Sequence, residues 1–301
     1  MNKRTTGILL ILGTALISGA SVFLNKFAIA SFNPFVFTTL KNSVVALFLI
    51  SGILLTFRHR ELVSLKLKDW RNLLAIGIIG GSVPFLLFFW GLSQAGAANA
   101  SLLHKSLFIP ASALAFVFLK EKLSKTQLAG ALLLFIGAAL FAGVNFTALS
   151  AGELAVIGAV LLWSAEDVLS KHVLRALSPS TVVFGRMFFG SLAMVALLAA
   201  TSQLPDLTGF TPSHYLWLLL TSVLLLGYNL TFYSGLRLVK VGEATALLLF
   251  GSVVTTALSL TVGAVPTPYE LLGAGAVILG ACAIALSPQK EPSQAPMPVE
   301  A

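Results

Sequence analysis

Two acidic residues, Glu166 and Asp167, stand side by side within the long, largely apolar stretch 152–174. A second polar pair, His104-Lys105, interrupts the apolar stretch 97–119. A charge placed in hydrocarbon costs several kcal/mol, so each of these groups needs a reason to be there. Glu166 suits a substrate-amine anchor or a proton carrier, and Asp167 either shares the proton role or pairs with Lys171 four residues on. Lys105 suits a carboxylate or phosphate on a solute; the alternative is a structural ion pair with Glu166. His104 fits the same site or a simple hydrogen bond. Lys41 and Arg186 lie about one and a half to two turns inside their apolar segments, where snorkelling to headgroups accounts for them without a ligand.

Uncharged polar residues accompany the charges. Thr14, Ser18, Ser21 and Asn25 recur at spacings of three and four, forming one face of a helix. About 145 residues later the same stripe reads Ala159, Trp163, Glu166 and Ser170. Two equivalent polar faces are expected to look into a shared cavity. Asn99, Gln94, Tyr228, Asn229 and Tyr233 add amides and phenols, and Phe88, Phe89 and Trp90 add aromatic surface. Such walls suit a small amphiphilic or zwitterionic solute, although aromatic residues serve packing more often. Glu243 opens a segment and reads as a helix cap.

The elements that position these residues are written twice. Gly7, Gly13, Leu16, Ala20, Lys26 and Pro34 reappear as Gly152, Gly158, Leu161, Ala165, Lys171 and Pro179, and Lys41 meets Arg186. Phe88, Gly91 and Leu92 match Phe232, Gly235 and Leu236, while Gly130 and Gly137 match Gly273 and Gly280. His104-Lys105 has only Leu248-Leu249 as its counterpart. With 57% hydrophobic and 10% charged residues and a mean hydropathy of +0.95, the chain reads as an integral membrane protein. Apolar segments near 7–30, 34–57, 72–93, 97–119, 126–144, 152–174, 180–201, 214–236, 243–264 and 268–286 mostly reach the roughly 17 to 25 residues of a bilayer span. Pro84, Pro110 and the glycines of the third segment allow bending or close packing.

The expected fold is therefore all-α, with ten transmembrane helices as two inverted five-helix repeats, 1–147 and 148–287, and a disordered tail over 288–301. An odd number of crossings per repeat inverts the second copy. Alternating the loops between two sides gives one side 15 of the 19 cations and the other side's loops none, which predicts cytoplasmic N- and C-termini in the cell (inner or plasma) membrane. The net charge of +8 is thus a topology signal, and nucleic acid is not expected as a partner. The first segment resembles a signal peptide at its start, but its internal duplicate at 152–179 predicts that it is retained. Cys282 is the sole cysteine, so no intrachain disulfide or metal cluster is implied.

The five-plus-five pattern, the cation early in the second segment of each half and the run Phe118-Leu119-Lys120-Glu121-Lys122-Leu123-Ser124 to Gln127 and Gly130 resemble the drug/metabolite transporter superfamily, EamA type. The resemblance covers about residues 7–286. It implies export of amino acids, metabolites or drugs through a cavity between segments 1, 3, 4, 6, 8 and 9, and a gating role for Glu121. The second half departs from it, with Ala264-Val265-Pro266-Thr267 where the acidic residue would recur. There is no Walker loop, metal-ligand spacing or nucleophile elbow, so no cofactor, metal or catalytic residue is expected.

The expectation is a transporter or facilitator exporting small solutes, most simply amino acids, as a monomer or homodimer in the bilayer. Its expected substrate-binding residues are Lys105, Glu166, Asn99, His104, Trp163, Ser21, Asn25, Tyr228 and Asn229. Proton coupling through Glu166 and Asp167 is the expected option for energising it. An organic-anion or sugar-phosphate exchanger and a membrane-embedded enzyme using Glu166, Asp167 and His104 are the alternatives.

Overall fold

A computed structural model describes residues 2–29, 33–55, 59–94, 97–142, 150–202, 204 and 210–287. The side chain of Asn99, the 147/148 boundary and the 288–301 tail lie outside the described residues. Every regular element among those described is helical. They are α1 (Lys3–Ile29), α2 (Pro34–Leu55), α3 (His59–Val63), α4 (Leu67–Gly81), α5 (Val83–Gln94), α6 (Ala97–Lys105) and α7 (Phe108–Leu114). There follow α8 (Lys125–Ala142), α9 (Ala151–Val173), α10 (Pro179–Ala200), α11 (Pro212–Leu238), α12 (Val241–Leu247), α13 (Gly251–Leu260) and α14 (Pro268–Leu286).

Eight stretches are long and apolar enough to cross a membrane: α1, α2, α4–α5, α6–α7 with the turn after it, α10, α11, α12–α13 and α14. The helix over Lys125–Leu140 is apolar but shorter. Helix α9 has the length, yet carries Glu153, Glu166, Asp167 and Lys171, which is why composition alone does not mark it as a span. Three of the expected continuous segments are broken. The third breaks at Ser82, the fourth at Ser106-Leu107 and the ninth at a 3-10 turn over Leu248–Phe250. Pro84 explains the first break. It has no N–H to donate to Gly80, four residues earlier, so the helix parts and Phe85 N–H reaches Ser82 O instead, at 3.0 Å.

Glycine lets the backbones touch, as helix association in lipid requires. A Cβ on Gly190 would stand 2.7 Å from Gly81 Cα, so α10 lies directly on α4. Sequence-matched glycines make matched contacts. Gly7 of α1 meets α11 at Gly235, and their counterparts Gly152 and Gly91 bring α9 against α5. Gly130 and Gly137 of α8 meet the carbonyls of Gly280 and Gly273 on α14. Both chain ends of the bundle come together, because Arg4 near the start of α1 donates to the carbonyl of Ser287 after α14 at 3.0 Å.

Replacing Gly190 with alanine forces α4 and α10 apart. Its thermal midpoint in detergent is expected to fall by several degrees, whereas Gly13→Ala, with open space around the new methyl, leaves the midpoint unchanged or slightly raised. Equal midpoints for the two variants, measured by intrinsic fluorescence, would refute this packing.

Candidate functional site

The broken helix creates the centre of the protein. With Pro84 in place, the Gly80 carbonyl has no α-helical partner, and two side chains take it. Arg186 Nη2 of α10 donates to it at 3.0 Å and Trp163 Nε1 of α9 at 3.1 Å. The Gly81 carbonyl beside it accepts from Asn42 Nδ2 of α2 at 3.2 Å. Gly80 has to be glycine, since a Cβ there would overlap the Glu166 side chain.

Arg186 is buried and is not a snorkelling residue, contrary to the sequence expectation. Its Nε lies 3.5 Å from Glu166 Oε2, and its Nη1 donates to Asn229 Oδ1 at 3.2 Å. Glu166 Oε1 accepts from Tyr233 Oη at 2.6 Å and from Ser170 Oγ at 2.5 Å. Helices α4, α9, α10 and α11 are thus tied through one ion pair. The expected structural pair between Lys105 and Glu166 is not formed, because the carboxylate is already held by Arg186, Tyr233 and Ser170. Nor does Asp167 pair with Lys171. Lys171 Nζ turns to the end of α11, donating to the carbonyls of Leu236 at 2.6 Å and Val239 at 2.7 Å, where a cation complements the helix C-terminus. Asp167 is buried and accepts no hydrogen bond from a described residue.

Around this centre the other expected residues fall into groups. The exposed ring of His104 lies 5.1 Å from Trp163 and 5.2 Å from Phe88, and Phe85 continues the cluster at 5.3 Å from Trp163. Lys105 is half-buried at the last residue of α6, just before the chain breaks. Tyr228 stacks on Phe232 at 5.9 Å. Ser21 and Asn25 sit together on α1, with Asn25 Nδ2 donating to Ser21 Oγ at 3.2 Å, and Asn25 Oδ1 is buried without a partner. Along the same inner face, Gly7, Ile11 and Thr14 are buried, but Ser18, Ser21, Val22 and Asn25 are all accessible to some degree. The polar residues of this face are thus part-exposed over 18–25, between the buried Thr14 and the buried Ala28.

The opposite end is bolted. Glu243, fully buried at the start of α12, caps its own helix and also receives Arg4, whose Nε and Nη2 reach Oε1 at 3.1 and 2.6 Å. Gln127 Nε2 of α8 joins at 2.5 Å on the same oxygen. Arg4 also donates to the Ile284 carbonyl at the end of α14, at 2.8 Å. A π-helical turn over Ala115–Leu119 and a left-handed Lys120, at φ 58°, redirect the chain so that Glu121 Oε2 accepts the Val241 N–H at 2.7 Å. Burial pushes the Glu121 carboxyl above its ordinary value of 4.5, opposed by that N–H and by the nearby Lys171 and Lys240, with Glu243 adding to the rise. Arg4, Glu121 and Gln127 belong to the first half of the chain; Lys240, Val241, Glu243 and Ser287 belong to the second.

Sequence reasoning missed three of these partners. Arg186 looked peripheral by its depth, Arg4 looked like one topological charge among many, and Gly80 acts through its backbone. The available signal for Gly80 was Pro84 four residues later.

Removing one member of a buried pair strands the other, at a cost of about 3–5 kcal/mol. Arg186→Met and Glu166→Met are each expected to lower the thermal midpoint strongly, and the double variant to recover much of the loss. Additive losses in the double variant would contradict the pairing. Because the folded protein holds the Glu121 proton more tightly than the unfolded chain does, stability declines as pH rises from 4.5 through the raised value. Thermal midpoints of Glu121→Gln across that range are expected to lack this part of the slope.

The chain matches the EamA-like transporter family over residues 5–143 and again over 150–286. It is 25% identical over 290 residues to the uncharacterized transporter YyaM of Bacillus subtilis, covering 92% of this chain and 93% of that one. An uncharacterized transporter of Haemophilus influenzae is 28% identical over 183 residues, 58% of each chain. A solved crystal structure superposes with a TM-score of 0.80 over 93% of this chain and 97% of its own, at 18% identity, a likeness of fold alone. Two successive matches spanning nearly the whole chain settle the affiliation: the protein is a multi-pass membrane protein of the EamA-like transporter family.

Proposed function

We propose that the protein is a secondary transporter or facilitator that exports small amphiphilic solutes, most simply amino acids, by alternating access. The observation that carries this reading is a contrast along the bundle. One end is closed by hydrogen bonds between the two halves of the chain, while farther along α1 the polar residues Ser18, Ser21 and Asn25 are part-exposed. A bundle closed at one end, with part-exposed polar groups beyond the closure, is what an alternating-access cycle populates.

In this reading ten helices cross the membrane as two inverted repeats, 1–147 and 148–287, with α4–α5, α6–α7 and α12–α13 each forming one broken span. The matched glycine contacts of α1 on α11 and α9 on α5 support that symmetry. The bolted end carries most of the loop cations and is assigned to the cytoplasm, which puts both termini there, in the cell membrane. The structure is then closed to the cytoplasm. Opening that side breaks the contacts of Arg4, Gln127 and Glu121 with α12. Glu121 thus acts as a gate residue through the Val241 N–H.

In this reading the solute is met by Ser21 and Asn25 on α1, His104 and Lys105 on α6, Trp163 and Glu166 on α9, and Tyr228 and Asn229 on α11, and Asn99 of α6 belongs to the same set. Glu166 has an additional duty that the sequence did not suggest, holding Arg186. Asp167, which accepts no hydrogen bond from a described residue, is the better proton carrier of the acidic pair. An organic-anion exchanger is the second reading, favoured by the cations Lys41 and Lys105 inside the bundle.

The test is counterflow of pooled labelled amino acids into proteoliposomes preloaded with the unlabelled pool. Accumulation above empty liposomes that is lost in Asp167→Asn only when a proton gradient is imposed supports proton coupling. Accumulation that is insensitive to both supports facilitated diffusion. No accumulation by folded protein would reject amino acids and direct the assay to organic anions.

A further inference from the structure

The two halves place a cation at the same point, and only one of them is neutralised. Arg186 is met by Glu166, Asn229 and the Gly80 carbonyl. Its counterpart Lys41, on α2, has its Nζ 5.0 Å from the centre of the Phe37 ring. No carboxylate and no hydrogen-bond acceptor reaches it among the described residues. The repeat explains why. Counting back about 145 residues, Glu166 becomes Ser21 and Ser170 becomes Asn25, so the first half has kept the cation and lacks the acid. It also leaves an orphan acceptor, Asn25 Oδ1, buried on α1.

Position on the helix decides whether Lys41 reaches for lipid. At 3.6 residues per turn, the bare side of α2 is marked by Leu47 and Leu54, 61% and 59% exposed. Phe37, Thr38 and Val45 mark the covered side and are all buried. Lys41 falls between Phe37 and Val45, about 120° around the helix from Leu47. It also lies seven residues into α2, about 10 Å along its axis. Lys41 is half-buried and lies on the protein-facing side of α2 between two buried residues, which is not the placement of a headgroup anchor. An unpaired cation at such a place is costly to keep and calls for an anion that comes and goes.

We propose that Lys41 is the anchor for a carboxylate on the transported solute. The inference rests on the transporter reading and deepens it. The second half carries its own counter-ion and stays tied, while the first half takes its counter-ion from the solute. A carboxylate bound at Lys41 supplies to α2 what Glu166 supplies to α10. An amine or hydroxyl on the same solute would meet the acceptor oxygens of α1.

The experiment uses full-length protein in phosphatidylcholine nanodiscs. Lysine acylation by an acetyl succinimidyl ester is followed at each site by peptide mass spectrometry. The probes are a neutral amino-acid pool, a pool of mono- and dicarboxylates, and sodium chloride at matched ionic strength. Lys41 acylation is expected to slow about threefold with a carboxylate-bearing pool held at twice its dissociation constant, and not with chloride, while exposed Lys122 reacts unchanged. Lys41→Met is expected to raise the thermal midpoint by about 2 to 4 °C and to abolish any stabilisation by the same pool. An unchanged Lys41 rate with every pool, protection only when phosphatidylglycerol replaces the neutral lipid, or a Lys41→Met protein that keeps its carboxylate stabilisation would overturn the proposal. Protection by dicarboxylates without amino-acid counterflow would uphold the anchor and reject amino acids as cargo. Counterflow that survives in Lys41→Met would uphold the transporter and reject the anchor.

Discussion

The Gly80 carbonyl is the point on which the interior depends. Pro84 cannot donate to it, so a buried acceptor is left to be satisfied by side chains, and leaving it bare would cost on the order of 1–3 kcal/mol. Arg186 and Trp163 satisfy it from α10 and α9. Once Arg186 is drawn inward it needs a counter-ion, and Glu166 supplies it. Glu166 in turn needs donors for its remaining lone pairs, and Tyr233 and Ser170 provide them. A single missing N–H thereby fixes the orientation of side chains on three other helices. Glycine at 80 completes the logic, because only there can Glu166 lie against the backbone of α4.

This chain of dependence accounts for where the sequence was readable and where it was not. Helix positions followed from apolar length, and the described helices other than the short α3 lie where the segments were expected, with ends shifted by a few residues. Breaks inside three of them were not expected as breaks, because hydropathy averages over them; Pro84 and Pro110 marked two, and Leu248–Phe250 carries no such mark. Glu166 was recognisable as a charge without an obvious reason in an apolar stretch. Its partner was not, since pairing depends on which way α10 turns toward α4, and that is decided by Gly81 and Gly190. Lys105 seemed the natural mate for Glu166 on charge alone. The carboxylate's short contacts with Tyr233 and Ser170 leave it facing Arg186 instead.

The bolted end follows a different rule. Its contacts are mostly caps: Arg4 on the last carbonyls of α14, Lys171 on those of α11, Glu243 on its own amides. Helix termini have unsatisfied groups whatever the state of the protein, so these caps are inexpensive to make and to exchange. Glu243 is an exception, being fully buried and shared by Arg4 and Gln127. Its reading as a simple cap was correct but incomplete, since the added bonds from Arg4 and Gln127 also join the two halves of the chain.

Packing and charge have been duplicated to different degrees. The glycines that bring α1 onto α11 recur where α9 meets α5, and those of α8 face the matching pair on α14 crosswise, Gly130 on Gly280 and Gly137 on Gly273. Backbone approach tolerates little change, since one added methyl produces overlap, so both halves keep it. Charge can diverge without disturbing that approach. Lys41 and Arg186 stand at equivalent points, yet Glu166 faces one of them and its match, Ser21, carries no charge. Inserting an acid at Ser21 would make the halves electrostatically alike and tie both of them shut by the same pair. Among the described residues one pair is complete and one cation has no counter-ion, so the two halves share their backbone packing and differ in their electrostatics.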